Sequence, residues 1–114
     1  MSKEKDLSTS HVRVAFTMKL KPGFREEYIR RHNEIWPALQ NLLAASGIRE
    51  YSIFLEESSN TLFAFQKVIG TSGSQDLGKN EIVKEWWKHM SDIMETNADH
   101  SPVTHALEEV FYLP

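Results

Sequence analysis

From Val12 to Leu20 the chain alternates: Val12, Val14, Phe16, Met18 and Leu20 on one side, Arg13, Ala15, Thr17 and Lys19 on the other. A period of two predicts a strand with one buried face. Lys21-Pro22-Gly23 then marks a turn and a helix start. Phe24, Tyr28, His32, Ile35, Trp36, Leu39, Leu42 and Leu43 follow at helical spacing. Pro37 cannot lie deep inside one continuous helix, because it lacks an N–H and its ring clashes with a preceding carbonyl. The pattern therefore predicts a break near Asn33, with Asn33 capping a second helical piece that Ser46-Gly47 ends.

Alternation returns from Tyr51 to Leu55, predicting a second strand, and Glu57 to Asn60 reads as a turn. Thr61 to Val68 is a third strand, paired with the second as a hairpin. Gly70 to Asn80, rich in Gly and Ser, reads as a loop with room for one irregular turn. Ile82, Val83, Trp86, Trp87, Met90, Ile93 and Met94 mark a helix with a wide apolar face. Thr96 to Thr104 is a loop, and Ala106 to Leu113 reads as a last strand cut off by Pro114. Strand, helix, strand, strand, helix, strand is the order of the ferredoxin-like split βαβ arrangement, an α+β fold on one antiparallel sheet. Right-handed crossovers put the helices on one sheet face. The other face carries large apolar residues and no third layer of this chain to cover it, which marks an interface. Two such sheets packed face to face give a homodimer of the dimeric α/β-barrel type.

Composition narrows the function. The 114 residues fit one domain, with 40% hydrophobic and 25% charged residues, as in soluble globular proteins. Residues 1–10 are polar and read as a disordered leader without a signal-peptide core; residues 11–114 form the domain. The net charge is −3 and the basic residues are scattered, so no nucleic-acid surface is indicated. The absence of cysteine excludes disulfides and thiolate metal sites and suits the cytoplasm. No apolar run approaches the ~20 residues of a membrane span.

Tyr28 and His32 lie one helical turn apart and so share a face, with Trp36 one turn further. An aromatic and polar strip of this kind can line a site for a sugar or other small polar ligand, although a histidine on a half-apolar helix face is more often structural. The adjacent Trp86 and Trp87 point about 100° apart on a helix, so at most one can lie fully in the core. Tyr51, on the second strand, needs a partner for its phenol if buried. His11, His89, His100 and His105 make no zinc-type spacing, and no HExxH, GxGxxG, P-loop or nucleophile elbow is present. Glu108 and Glu109 would point to opposite faces of a strand, and Arg30-Arg31 reads as a solvated helix face.

Three separated segments carry a resemblance: Tyr28-x-x-x-His32-Asn33-x-Ile35-Trp36-Pro37, Trp86-Trp87-Lys88-x-Met90, and the terminal Glu109-Val-Phe-Tyr-Leu-Pro114. Together they resemble the L-rhamnose mutarotase family from about Val12 to the last residue. The resemblance implies a cytoplasmic, homodimeric enzyme of ferredoxin-like fold that interconverts the α and β anomers of a sugar substrate without metal or organic cofactor. It implies His32 as proton donor and Tyr28, Tyr51, Trp86 and Trp87 as sugar-binding residues. The chain departs from the family pattern in its leader, in Glu34 where a proline often stands, in the Gly- and Ser-rich stretch from Gly70 to Asn80, and in the loop from Thr96 to Pro102.

Mutarotation needs a proton delivered to the ring oxygen and one removed from the anomeric hydroxyl. A histidine, with an ordinary pKa of about 6.5, can serve in both directions near neutrality. His32 is read as the acid at the ring oxygen, with water or a carboxylate such as Asp92 as base. The competing reading from another class is a cofactor-free monooxygenase using His32, Asn33 and Trp36. A non-catalytic sugar-binding or dimerisation module is a third.

Overall fold

The structure, a computed structural model, describes residues 11–70 and 72–114; the leader read from residues 1–10 lies outside them. Strand β1 (Val12–Lys19) is followed by helices α1 (Arg25–Asn33) and α2 (Pro37–Ala45). The hairpin β2 (Ile48–Glu56) and β3 (Thr61–Val68) comes next, then a short 3₁₀ turn (Ser74–Asp76). Helix α3 (Glu81–Met90) and strand β4 (His105–Leu107) complete the order. The sheet runs β2-β3-β1-β4 with every pairing antiparallel, the ferredoxin-like topology.

Alternation decides which residues enter the core. In β1, Phe16 and Met18 face the helices and pair with Ala64 and Leu62 of β3, and all four are buried. Tyr28 of α1, Leu39 of α2, and Val83, Trp86 and Met90 of α3 close over them. The chain after α3 is drawn back to the end of β1: Lys21 N–H donates to Ile93 C=O at 2.8 Å, and Glu95 N–H to Lys19 C=O at 3.0 Å. Ile93 and Met94 are thereby sealed in the core.

The helix breaks at Asn33 as expected, but the cap of the second piece lies later. Asn33 is the last residue of α1, and the cap of α2 is Trp36, extended at φ −65° and ψ 132°, with Pro37 at the first helical position. The proline decides this. Its fixed φ suits that position, where the missing N–H costs nothing, and it forces the residue before it out of the helical region. Gly47 closes α2 at φ +87°, and a Cβ there would stand 2.4 Å from the carbonyl oxygen of Ile69, so glycine is required twice over. Asn80 caps α3, its Oδ1 accepting the Ile82 N–H at 3.0 Å.

The last strand is also shorter than expected. Pairing with β1 stops at Leu107, and Glu108 to Pro114 run on without a strand partner among the described residues. Arg13 holds this segment by an ion pair to Glu109 at 2.7 Å and a guanidinium 3.3 Å from the centre of the Tyr112 ring. Val110, Phe111 and Leu113 stay at least three-quarters exposed. The open sheet face carries Phe54 and Phe65, edge to face at 5.9 Å and both exposed.

Candidate active site

Between α1, α3 and the helix-facing side of β2 lies a cleft of about 940 Å³, bordered by Tyr28, His32, Tyr51, Trp86 and Trp87. The fold thus brings together the five residues that the resemblance implied as proton donor and sugar-binding residues. The volume is at the upper end of the roughly 300–1,000 Å³ usual for small-molecule sites.

Each side chain reaches the cleft for a local reason. Tyr28 and His32 are one turn apart on α1, and their rings stack at 4.2 Å with 25° between planes. Trp86 meets His32 edge-on at 5.4 Å and Trp36 edge-on at 5.1 Å, so its indole forms the cleft's rear wall. Trp87 is only partly buried and lies under Gly78, where a Cβ would come within 2.8 Å of the indole. Tyr51 depends on a β-bulge. Ile48 pairs with Val68 and Arg49 with Lys67, but Ser52 pairs with Phe65, so one extra residue sits between Arg49 and Ser52, with Glu50 at φ 49°. An unbroken register would place Tyr51 opposite Phe65 on the open face; the bulge turns it into the cleft.

The electrostatics follow from burial. His32 Nδ1 lies 3.1 Å from the backbone C=O of Tyr28. A carbonyl can only accept, so Nδ1 carries the proton and Nε2 is left with its lone pair when the ring is neutral. Burial pushes the imidazole below its ordinary pKa, and the bond to the Tyr28 carbonyl partly opposes this. Burial raises the Tyr28 phenol well above its usual range, with the nearby Tyr51 adding to it. Burial also raises Tyr51, against a smaller opposing effect of the Ser74 hydroxyl. Both phenols therefore remain protonated around neutrality.

Asp92, considered as a base, is not at the cleft. It takes a two-pronged contact from Arg31, at 2.8 and 3.2 Å, and its side chain is 66% exposed. Arg31 also donates to the His89 carbonyl at 2.7 Å and to Glu27 at 2.7 Å, so Arg31 is a tie between α1 and α3 rather than a solvated side chain. Glu109 is bound to Arg13 away from the cleft. Sequence reasoning missed Ser74 and Gln75, which border the cleft, and Gln66 behind them. Gln66 was signalled by a polar residue at a helix-facing position of β3.

The model of one protein family, L-rhamnose mutarotase, matches residues 13–113. The chain belongs to the L-rhamnose mutarotase family. An L-rhamnose mutarotase of Formosa agariphila is 58% identical over 101 residues, which cover 89% of this chain and 97% of that protein. A crystal structure of an L-rhamnose mutarotase from the same organism superposes with a TM-score of 0.83 at 55% identity, covering 90% of this chain and 99% of that one. A dimeric ferredoxin-like protein from an uncultured marine organism shares the fold at a TM-score of 0.54 and 14% identity, over 97% of this chain and 99% of that one. Membership of the mutarotase family makes the chain a carbohydrate isomerase and disfavours the monooxygenase reading. Of the residues in that reading, His32 and Asn33 border the cleft, while Trp36 packs against Trp86 and His89 and does not. Among the described residues no helix is long and apolar enough to cross a membrane.

Proposed function

We propose that this chain interconverts the α and β anomers of L-rhamnose in the aromatic cleft, with His32 as the proton-transfer group. The observation that carries this is the bond from His32 Nδ1 to the Tyr28 carbonyl, which leaves Nε2 as the nitrogen able to exchange a proton with substrate.

Ring opening breaks the C1–O5 bond, removes the proton from O1 and adds one to O5, leaving a carbonyl at C1. O1 and O5 are both bonded to C1, so one nitrogen can reach either. Neutral His32 takes the O1 proton at Nε2; as imidazolium it gives that proton to O5. Rotation about C1–C2 and the reverse steps close the other anomer. No atom is gained or lost and no separate carboxylate base is needed, which fits the placement of Asp92 outside the cleft. Tyr28 and Tyr51, protonated throughout, hold sugar hydroxyls. Trp86 and Trp87 offer flat apolar surface to the ring C–H groups and the C6 methyl.

The assembly is a homodimer in this reading. Phe54 and Phe65 on the open sheet face and Val110, Phe111 and Leu113 in the C-terminal segment are apolar and uncovered. A second copy of the sheet offers the same apolar chemistry. The cysteine-free chain suits the reducing cytoplasm.

Exchange between the anomeric protons of L-rhamnose, followed by saturation-transfer NMR, tests the activity. The wild type accelerates exchange over buffer, and His32→Gln loses about 10²–10⁴-fold with its fold intact. Wild-type exchange equal to buffer sinks the proposal.

A further inference from the structure

We propose that Gln66 and Ser74 are positioning residues that make Tyr51 a one-way hydrogen-bond donor to the sugar. This rests on the reading of Tyr51 as a sugar-binding residue.

The helix-facing positions of β3 are Leu62, Ala64, Gln66 and Val68, and Gln66 is only 2% exposed. An amide this deep needs partners. Gln66 Oε1 accepts the backbone N–H of Ser74 at 2.8 Å, and Gln66 Nε2 donates to Ser74 Oγ at 2.9 Å. The backbone N–H can only donate, so it settles which end of the amide is oxygen. The NH₂ group must then face the Ser74 hydroxyl. Gln75 Nε2 donates to the same hydroxyl at 3.2 Å. With its lone pairs taken by two N–H groups, Ser74 has its own proton left to give, and the Tyr51 oxygen lies 3.4 Å away in that direction.

Polarity therefore runs one way, from Gln66 through Ser74 to Tyr51. The phenol oxygen accepts from Ser74, and the phenol proton is left for the cleft. Tyr51 then selects a sugar oxygen that presents a lone pair and disfavours one that presents only its proton. The 3.4 Å separation is long for an O–H···O bond. It shortens as the phenol commits its proton to substrate, because donation makes the phenol oxygen a better acceptor.

A double-mutant cycle tests the proposal. Ser74→Ala slows anomer exchange by about 3- to 10-fold, the loss of one neutral hydrogen bond. In a Tyr51→Phe background the same substitution has no further effect. Gln66→Met, which keeps the length and removes the amide, repeats this pattern if Ser74→Ala folds poorly, and melting curves check each variant. Independently of activity, the ¹³Cζ resonance of Tyr51 at neutral pH shifts in Ser74→Ala, since the phenol oxygen has lost a donor. Equal slowing in both backgrounds, or an unmoved Tyr51 resonance, overturns the proposal and leaves the mutarotase reading standing. A shifted resonance in a protein that does not accelerate exchange supports the Gln66–Ser74–Tyr51 chain and removes the mutarotase reading instead.

Discussion

The two faces of the sheet are built from the same alternating strands, yet they end in different conditions. On the helix side every position of β3 is buried, and even the polar one, Gln66, has both ends of its amide bonded. On the open side, Phe65 of the same strand and Phe54 of its neighbour are exposed, and the C-terminal segment adds more exposed apolar surface. The helix side is completed by this chain's own helices. The open side has the chemistry of a core and no cover among the described residues. Alternation determines which residues share a face, but not which molecule covers it.

Alanine substitutions on a single strand separate the two conditions. Leu62→Ala, at a position 1% exposed, destabilises by about 2–5 kcal/mol at every protein concentration. Phe65→Ala acts instead through association, so its melting temperature falls most at low protein concentration. Equal concentration dependence for the two variants erases the distinction between the faces. Next in size, Phe54→Glu with Phe65→Glu yields a folded monomer by light scattering, because like charges brought face to face oppose pairing. A dimer that survives the pair of charges places the interface elsewhere.

A smaller effect concerns the cleft alone. The folded-state pKa of His32 is depressed below the unfolded imidazole value, so between the two the unfolded chain binds a proton that the folded chain does not. Its contribution to stability is present above about pH 6.5 and is lost as pH falls towards the folded-state pKa. Urea unfolding across that window shows the slope, and His32→Gln flattens it; an unchanged slope in the variant assigns the dependence to another group. The smallest effect is expected for Asp92→Asn. Anomer exchange stays at the wild-type rate, and stability falls by about 1 kcal/mol or less, as for an exposed pair. A large rate loss would return Asp92 to the chemistry.

Much of this was legible in the sequence, for identifiable reasons. Thr61 to Val68 was readable residue for residue because it is a run of strand-favouring residues that a turn precedes. Tyr28 and His32 were readable as a pair because helix geometry is local. The cap falls at Trp36 and not at Asn33 because the demand of Pro37 is stricter than the preference of asparagine for caps. Val110 to Leu113 have strand character in the sequence, and only the sheet reveals that, among the described residues, pairing with β1 ends at Leu107. Asp92 looks available as a base in the sequence because separation hides Arg31, sixty-one residues away, which binds it. The bulge that turns Tyr51 inward left its trace in parity: Ile48 is even-numbered, while Tyr51, Ile53 and Leu55 are odd, and all four border the cleft.

Arg31 has a further consequence for how the cleft works. Its guanidinium clasps the walls from behind, joining the helix that carries Tyr28 and His32 to the end of the helix that carries Trp86 and Trp87. A guanidinium keeps its charge wherever the protein is folded. The His89 carbonyl it holds has no proton to lose, and the Asp92 carboxylate is kept below its usual range by the same cation. The tie between the two helices therefore keeps its charges around neutrality and does not depend on the protonation of the imidazole. The molecule divides the labour between one arginine that keeps its charge and, one residue along, a histidine whose charge can change.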